Sequence, residues 1–119
     1  MKRRIMWGVC AGLGLIVAVA GCALLGNLNP IASFTAAPST GPSPLSVDFD
    51  ASASSDPDGT IAAYVWDFGD GQTASLTVPT LTYVYTNVQS DPVVYTAILT
   101  VVDNDGAEDD AVKNITVEP

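Results

Sequence analysis

Two short acidic loops, Asp56-Pro57-Asp58-Gly59 and Asp103-Asn104-Asp105-Gly106, hold the residues best suited to chemistry in this chain. Each sets hard oxygen donors on a tight turn, which is the ligand chemistry that Ca2+ requires. Neither is an EF-hand loop, because the preceding ligand positions are wrong and no Glu follows at the needed spacing. The same residues also have a purely structural use, since Asp in a turn accepts hydrogen bonds from nearby backbone amides. The chain contains no histidine, which removes the usual nucleophile-base triads, histidine zinc sites and the commonest general base. A carboxylate pair of the glycosidase kind is the one enzymatic arrangement left. With thirteen acids some pair must fall at a suitable distance, and a pattern of short strands builds no deep cleft, so the expectation is that the protein is not an enzyme.

Charge narrows the partners. Lys2, Arg3 and Arg4 sit together at the N-terminus, which leaves Lys113 alone against thirteen carboxylates and a formal charge of −12 on residues 5–119. Nucleic acid is excluded as a partner, because binding a polyanion needs Lys and Arg to neutralise phosphates. Cys10 and Cys22 lie within and at the end of an apolar N-terminal run, so the remainder has no pair from which to form a disulfide. A β-core, alone or with metal, has to hold it together.

The elements that position the loops are strands. Tyr64, Trp66 and Phe68 alternate with Val65 and Asp67, so three rings fall on one face of an extended segment, Ile61 to Phe68. That face belongs to the core; the alternative reading of Trp66 is a carbohydrate platform. Asp70-Gly71 follows, the pair favoured in tight hairpins. Asp58-Gly59 and Asp105-Gly106 mark two more breaks between apolar runs. Leu45, Val47 and Phe49 alternate with Ser46, Asp48 and Asp50, giving a half-buried strand. Further strands are expected at 31–36, 72–78, 80–85, 93–102 and 111–117, with Pro38, Gly41, Pro42 and Pro44 marking a bend. About seven short strands without a helical period predict an all-β, immunoglobulin-like antiparallel sandwich.

Three blocks carry a family resemblance: Asp50 to Gly59, Tyr64 with Trp66 to Gly71, and Tyr95 to Asp103 followed by Asn104-Asp105-Gly106. In this order they resemble a PKD domain, over about Asn29 to Val117. The chain departs from the family at Tyr83, where His is common, and in a longer connection from Asn87 to Pro92. The resemblance implies a calcium site built from the Asn that opens the first strand, both Asp of the Asp-Pro-Asp-Gly turn and the Asp that ends the long strand. Those positions correspond to Asn29, Asp56, Asp58 and Asp103. It further implies contact with proteins or polysaccharides, or a spacer role. Tyr83 and Tyr85, next to the atypical connection, are the rings expected to be available for such a ligand.

The N-terminus reads as an export signal. Lys2-Arg3-Arg4 precedes an uncharged run from Ile5 to Leu25, and Val19-Ala20-Gly21-Cys22 resembles a bacterial lipobox, in which the cysteine becomes the acylated N-terminal residue. An uncleaved membrane anchor is the alternative for a run of this length. Ala23 rather than Asp after the cysteine resembles the signal for outer-membrane sorting. The expected organisation is a signal peptide at 1–21, a short linker at 22–28 with lipidated Cys22, and a sandwich at 29–119. The expected protein is a non-catalytic, extracytoplasmic lipoprotein on the bacterial envelope, adhering to proteins or polysaccharides. The alternative is an envelope component that associates with a larger hydrolase.

Overall fold

Strict alternation in Leu45–Asp50 produces a strand whose odd-numbered side chains are buried and whose Ser46, Asp48 and Asp50 face solvent. The computed structural model describes residues 26–119, so the expected signal peptide and Cys22 lie outside the described residues. Eight strands follow in chain order: β1 (Thr35–Ala37), β2 (Thr40–Pro42), β3 (Leu45–Asp50), β4 (Ile61–Asp67), β5 (Thr73–Leu76), β6 (Thr80–Tyr85), β7 (Val93–Asp103) and β8 (Glu108–Glu118). They form a three-stranded sheet of order β1-β3-β6 and a five-stranded sheet of order β2-β8-β7-β4-β5. Among the described residues no helix is long and apolar enough to cross a membrane.

The all-β sandwich agrees with the sequence; besides shifted ends, notably Thr73–Leu76 for 72–78 and Glu108–Glu118 for 111–117, two strands differ in kind. Residues 31–36 do not make one strand: Ile31 forms an isolated bridge to Ser55, and only Thr35–Ala37 pairs with β3. The bend at 38–44 also contains β2, which runs parallel to β8 with Thr40 opposite Thr116. A three-residue strand carrying Gly41 and Pro42 has no pattern of its own, and only its partner reveals it. Segment 27–33 is held mostly by side chains, with Ala32 N–H donating to Asp109 Oδ2 (2.8 Å) and Ser33 N–H to Ser54 Oγ (2.9 Å).

Between the sheets the rings interlock. Trp66 is fully buried, edge-on to Phe34 at 5.2 Å and tilted against Phe49 at 5.2 Å. Leu99, Val101, Ile115 and Val117 complete the interior from β7 and β8. The β4–β5 hairpin closes with Phe68 N–H donating to Gln72 O at 3.1 Å, so three residues, Gly69, Asp70 and Gly71, make the loop rather than an Asp-Gly pair alone.

Gly69 and Gly71 both have positive φ, 84° and 95°. They differ in surroundings: a Cβ on Gly69 would run into the Thr96 backbone, whereas one on Gly71 would meet open space. Gly71→Ala is therefore expected to cost about 1 kcal/mol through backbone strain. Gly69→Ala should cost roughly 2 to 3 kcal/mol, because the strand beneath must also move. Urea midpoints of the two variants check this, and equal midpoints would show that the hairpin does not rest on β7 as described.

Candidate metal centre

The long strand β7 ends at Asp103, where the chain must turn into β8, and that turn is built on the Asp103 side chain. Its Oδ1 accepts from Asp105 N–H (2.9 Å) and Ala107 N–H (2.8 Å), and Gly106 takes a positive φ of 91°. Beside it, the loop between β3 and β4 is pinned by Asn104, whose Oδ1 accepts from Thr60 N–H (3.0 Å) and whose own N–H donates to Thr60 O (3.0 Å). Gly59 has no positive φ; its role is close approach, since a Cβ there would collide with Asn104 Oδ1 and crowd Asp56 Oδ2. These contacts bring the two acidic loops to one pole of the sandwich.

Asp56, Asp58 and Asp103 meet there, each offering a carboxylate oxygen within 4.8 Å of the others. The asparagine that joins them is Asn27. Its Nδ2 donates to Asp103 Oδ2 at 2.8 Å, while Asn29, the residue expected from the sequence, is exposed. Leu28 N–H donates to Asp58 Oδ2 at 2.9 Å, so the segment entering the domain lies directly on the cluster. Two oxygens at this pole, Asn27 Oδ1 and Asp56 Oδ2, are buried without a hydrogen-bond partner.

The carboxylates respond to this crowding in opposite directions. Burial, the hydrogen bond with the Asp58 side chain, and the charges of Asp103 and Asp58 push Asp56 up to about 6, against the opposing pull of the Asp58 amide. Asp103 is also penalised by burial, but hydrogen bonds from Asn27 and from the Ala107, Asp105 and Gly106 amides outweigh that penalty and hold it below the ordinary carboxylate value. Three carboxylates with two orphaned buried oxygens fit a hard divalent cation, for which an all-oxygen donor set is the normal environment.

A pH dependence follows for the metal-free domain. Folded Asp56 keeps its proton up to about 6, whereas the ordinary value is 3.8, so between these limits the folded state binds more protons than the unfolded state. Stability from this group is present below about 4 and lost as pH rises through about 6. Asp103 acts in the opposite sense, and its contribution is lost only as pH falls through its lowered value. Urea midpoints in chelator should therefore fall across the Asp56 window, and Asp56→Asn should flatten that fall; an unchanged slope in the variant would assign it to another group.

The expected ligand rings are differently placed. Tyr85 is fully buried, and its hydroxyl donates to Phe68 O at 2.9 Å. Tyr83 lies flat on Phe68 with centroids 3.8 Å apart and meets Tyr85 edge-on at 4.9 Å, and its hydroxyl donates to Asp70 Oδ2 at 2.5 Å. Burial, then the Asp70 hydrogen bond and charge, push its phenol up to about 12. Tyr85 is committed to packing at the pole opposite the acidic cluster, whereas Tyr83 is half-buried there, with one ring face covered by Phe68.

Residues 27–118 match the family model described as PKD domain. The chain belongs to the PKD-domain family. A PKD domain also appears among the solved structures: the PKD1 domain of the Vibrio cholerae metalloprotease PrtV is 35% identical, with a TM-score of 0.61 over 77% of this chain and 100% of that one. A solved structure described as the structural basis for the promiscuous specificity of carbohydrate-binding modules from the β-sandwich superfamily is 45% identical, with a TM-score of 0.72 over 79% of this chain and 36% of that one. Pre-pro-metalloprotease PrtV from Vibrio cholerae serotype O1 is 43% identical over 65 residues, which is 55% of this chain and 6% of PrtV. The chain thus spans a small part of the curated relatives it matches.

Proposed function

We propose that this PKD domain is a non-catalytic contact module of the bacterial envelope, held outside the cytoplasmic membrane by a lipid on Cys22 and binding protein or polysaccharide. The likeness to 36% of a chain from the structure described by its carbohydrate-binding modules, at 45% identity and a TM-score of 0.72, supports the contact reading. The Lys2-Arg3-Arg4 start, the apolar run and Val19-Ala20-Gly21-Cys22 support the anchor. In this reading Asn27, Asp56, Asp58 and Asp103 hold Ca2+, which neutralises the crowded carboxylates and fixes the segment at 27–28 to the sandwich.

The test has two arms. Fatty-acid labelling of the expressed protein should be lost in Cys22→Ala, and label that survives the substitution would reject the anchor. Sedimentation with insoluble chitin, cellulose or peptidoglycan should retain the calcium-loaded domain, and failure on all three would reject polysaccharide contact by these classes. The matches to PKD modules within a metalloprotease favour a second reading, association with a larger hydrolase. A hydrolase recovered in stoichiometric amount from detergent-solubilised membranes would support it.

A further inference from the structure

The free edge of β6 is built to receive another strand. Ala51 N–H donates to Pro79 O at 2.9 Å, which fixes the phase of the β3–β6 ladder. In that phase Phe49–Leu81, Val47–Tyr83 and Leu45–Tyr85 are the hydrogen-bonded pairs. The alternate residues Thr80, Thr82 and Val84 then turn their backbone N–H and C=O groups away from β3. β6 ends its sheet, and none of the loop and turn hydrogen bonds among the described residues reaches these groups.

Edge strands usually carry a guard: shortness, proline, a bulge or a charge. Here β1 and β2 have three residues each, β2 includes Pro42, and β5 has four. By contrast β6 runs six residues, Thr-Leu-Thr-Tyr-Val-Tyr, with no charge, glycine or proline. It is uncharged, rich in β-branched and aromatic residues, and regular in register with β3 throughout.

The flank beside β6 says what could occupy it. Phe68, at the end of β4, stacks on Tyr83, so β4 lies beneath β6 and β5 extends beyond it. On that projecting shelf Ala74 and Leu76 are only partly buried, as are Leu81 and Tyr83 on β6. A second folded copy pairing through its own β6 would bring its own projecting β5 onto the same shelf, whereas one extended segment fits. Its inward side chains would sit between Leu76 and Leu81, which suits apolar residues. Its outward side chains would lie beside Thr80, Thr82 and Val84, with Asp48 and Asp50 one strand further in on β3; Asp48 Oδ1 accepts from the Thr82 hydroxyl (2.7 Å), and Asp50 Oδ1 from the Ser52 N–H and hydroxyl. The acidic outer face, on a domain whose one cation is Lys113 on β8, suits Lys or Arg there.

We propose that β6 is a docking edge for an extended polypeptide segment that alternates apolar residues, facing the sandwich interior, with basic residues on the outer face, whose long side chains reach across β6 toward Asp48 and Asp50. This narrows the contact reading above to a polypeptide and a surface, and its test is independent of polysaccharide retention and of metal.

The probe is a blocked hexapeptide alternating valine and lysine, compared with the same composition in block order. By NMR the Thr80, Thr82 and Val84 amides should exchange rapidly in the free domain and become protected when the alternating peptide is added. Thr82→Pro removes an N–H that β3 does not use and the exposed hydroxyl contact to Asp48, so the domain should melt only slightly below the parent while peptide affinity falls roughly tenfold, the worth of a lost hydrogen bond and a blocked approach. Thr82→Lys, which keeps the N–H but adds a like charge against the probe, should also weaken binding. The proposal is overturned if the block-order peptide binds as tightly, or if both variants bind like the parent. It is equally overturned if the three amides are already protected in the free domain by a dimer that Thr82→Pro dissolves, since a second copy would then be the occupant.

Discussion

Trp66→Ala is expected to remove most of the stability of this domain, about 3 to 5 kcal/mol out of a total that small domains place near the low end of roughly 5 to 15 kcal/mol. The indole is fully buried, and it bridges the sheets by touching Phe34 from the segment before β1 and Phe49 from β3. Truncation would leave a cavity between two sheets with no disulfide to limit the response. Trp66→Phe should cost much less, because it retains a ring and removes the Nε1–H, which is buried without an acceptor. Urea titration of the three proteins checks this order. A Trp66→Ala domain that unfolds at the parent's midpoint would mean that the ring is not structural, and would return it to the role of a binding platform.

The core was legible because its signal is local. Tyr64, Trp66 and Phe68 alternate over five residues, and the two-residue period of a strand turns all three toward the core, where Trp66 and Phe68 are buried and Tyr64 is half-buried at its margin. Asp56, Asp58 and Asp103 were legible for a related reason, since Asp beside Gly and Pro marks a turn wherever it occurs. Asn27 was not. The resemblance puts the asparagine at position 29, ahead of a first strand expected from Ile31, whereas the structure pairs only Thr35–Ala37 with β3. The reach of Asn27 to Asp103 depends on how a mostly unpaired segment lies against the pole, which no local pattern encodes. Strand β2 and the free edge of β6 share that property. Alternation in Thr80–Tyr85 announces a strand, but its place at the end of a sheet is decided by distant partners.

Tyr83 and Tyr85 show the reverse error. Proximity to an atypical connection predicts exposure; Tyr85 is instead fully buried and stacked on Tyr95 at 5.1 Å, and Tyr83 is half-buried against Phe68. The connection itself is organised around buried Asn87. Its Nδ2 donates to Asp91 O and Val117 O, and its Oδ1 accepts from Gln89 N–H, so a long loop is held without a regular turn.

The second large effect concerns calcium. A cation bound only by the folded state stabilises it by about 2.7 kcal/mol at a hundredfold excess over Kd. For a domain of this size that is a rise in Tm on the order of 10 °C or more. Asn27→Ala should lose most of this rise, because it removes both a buried oxygen and the hydrogen bond that orients Asp103, while Asn29→Ala should keep it. Asp103→Ala should destabilise the domain with or without metal, since its carboxylate also holds the Asp105 and Ala107 amides.

The most direct measurement is the melting curve of Asp56→Asn beside the parent, at neutral pH, in chelator and in calcium. Asp56 has a buried oxygen without a partner and a carboxyl held up to about 6 by burial and its neighbours, so in chelator the neutral amide should melt at or above the parent. In calcium the parent should gain on the order of 10 °C and the variant little, because a charged ligand has been removed. If calcium leaves the parent unchanged, or raises Asp56→Asn as far as the parent, the three aspartates only shape turns and the metal centre does not exist.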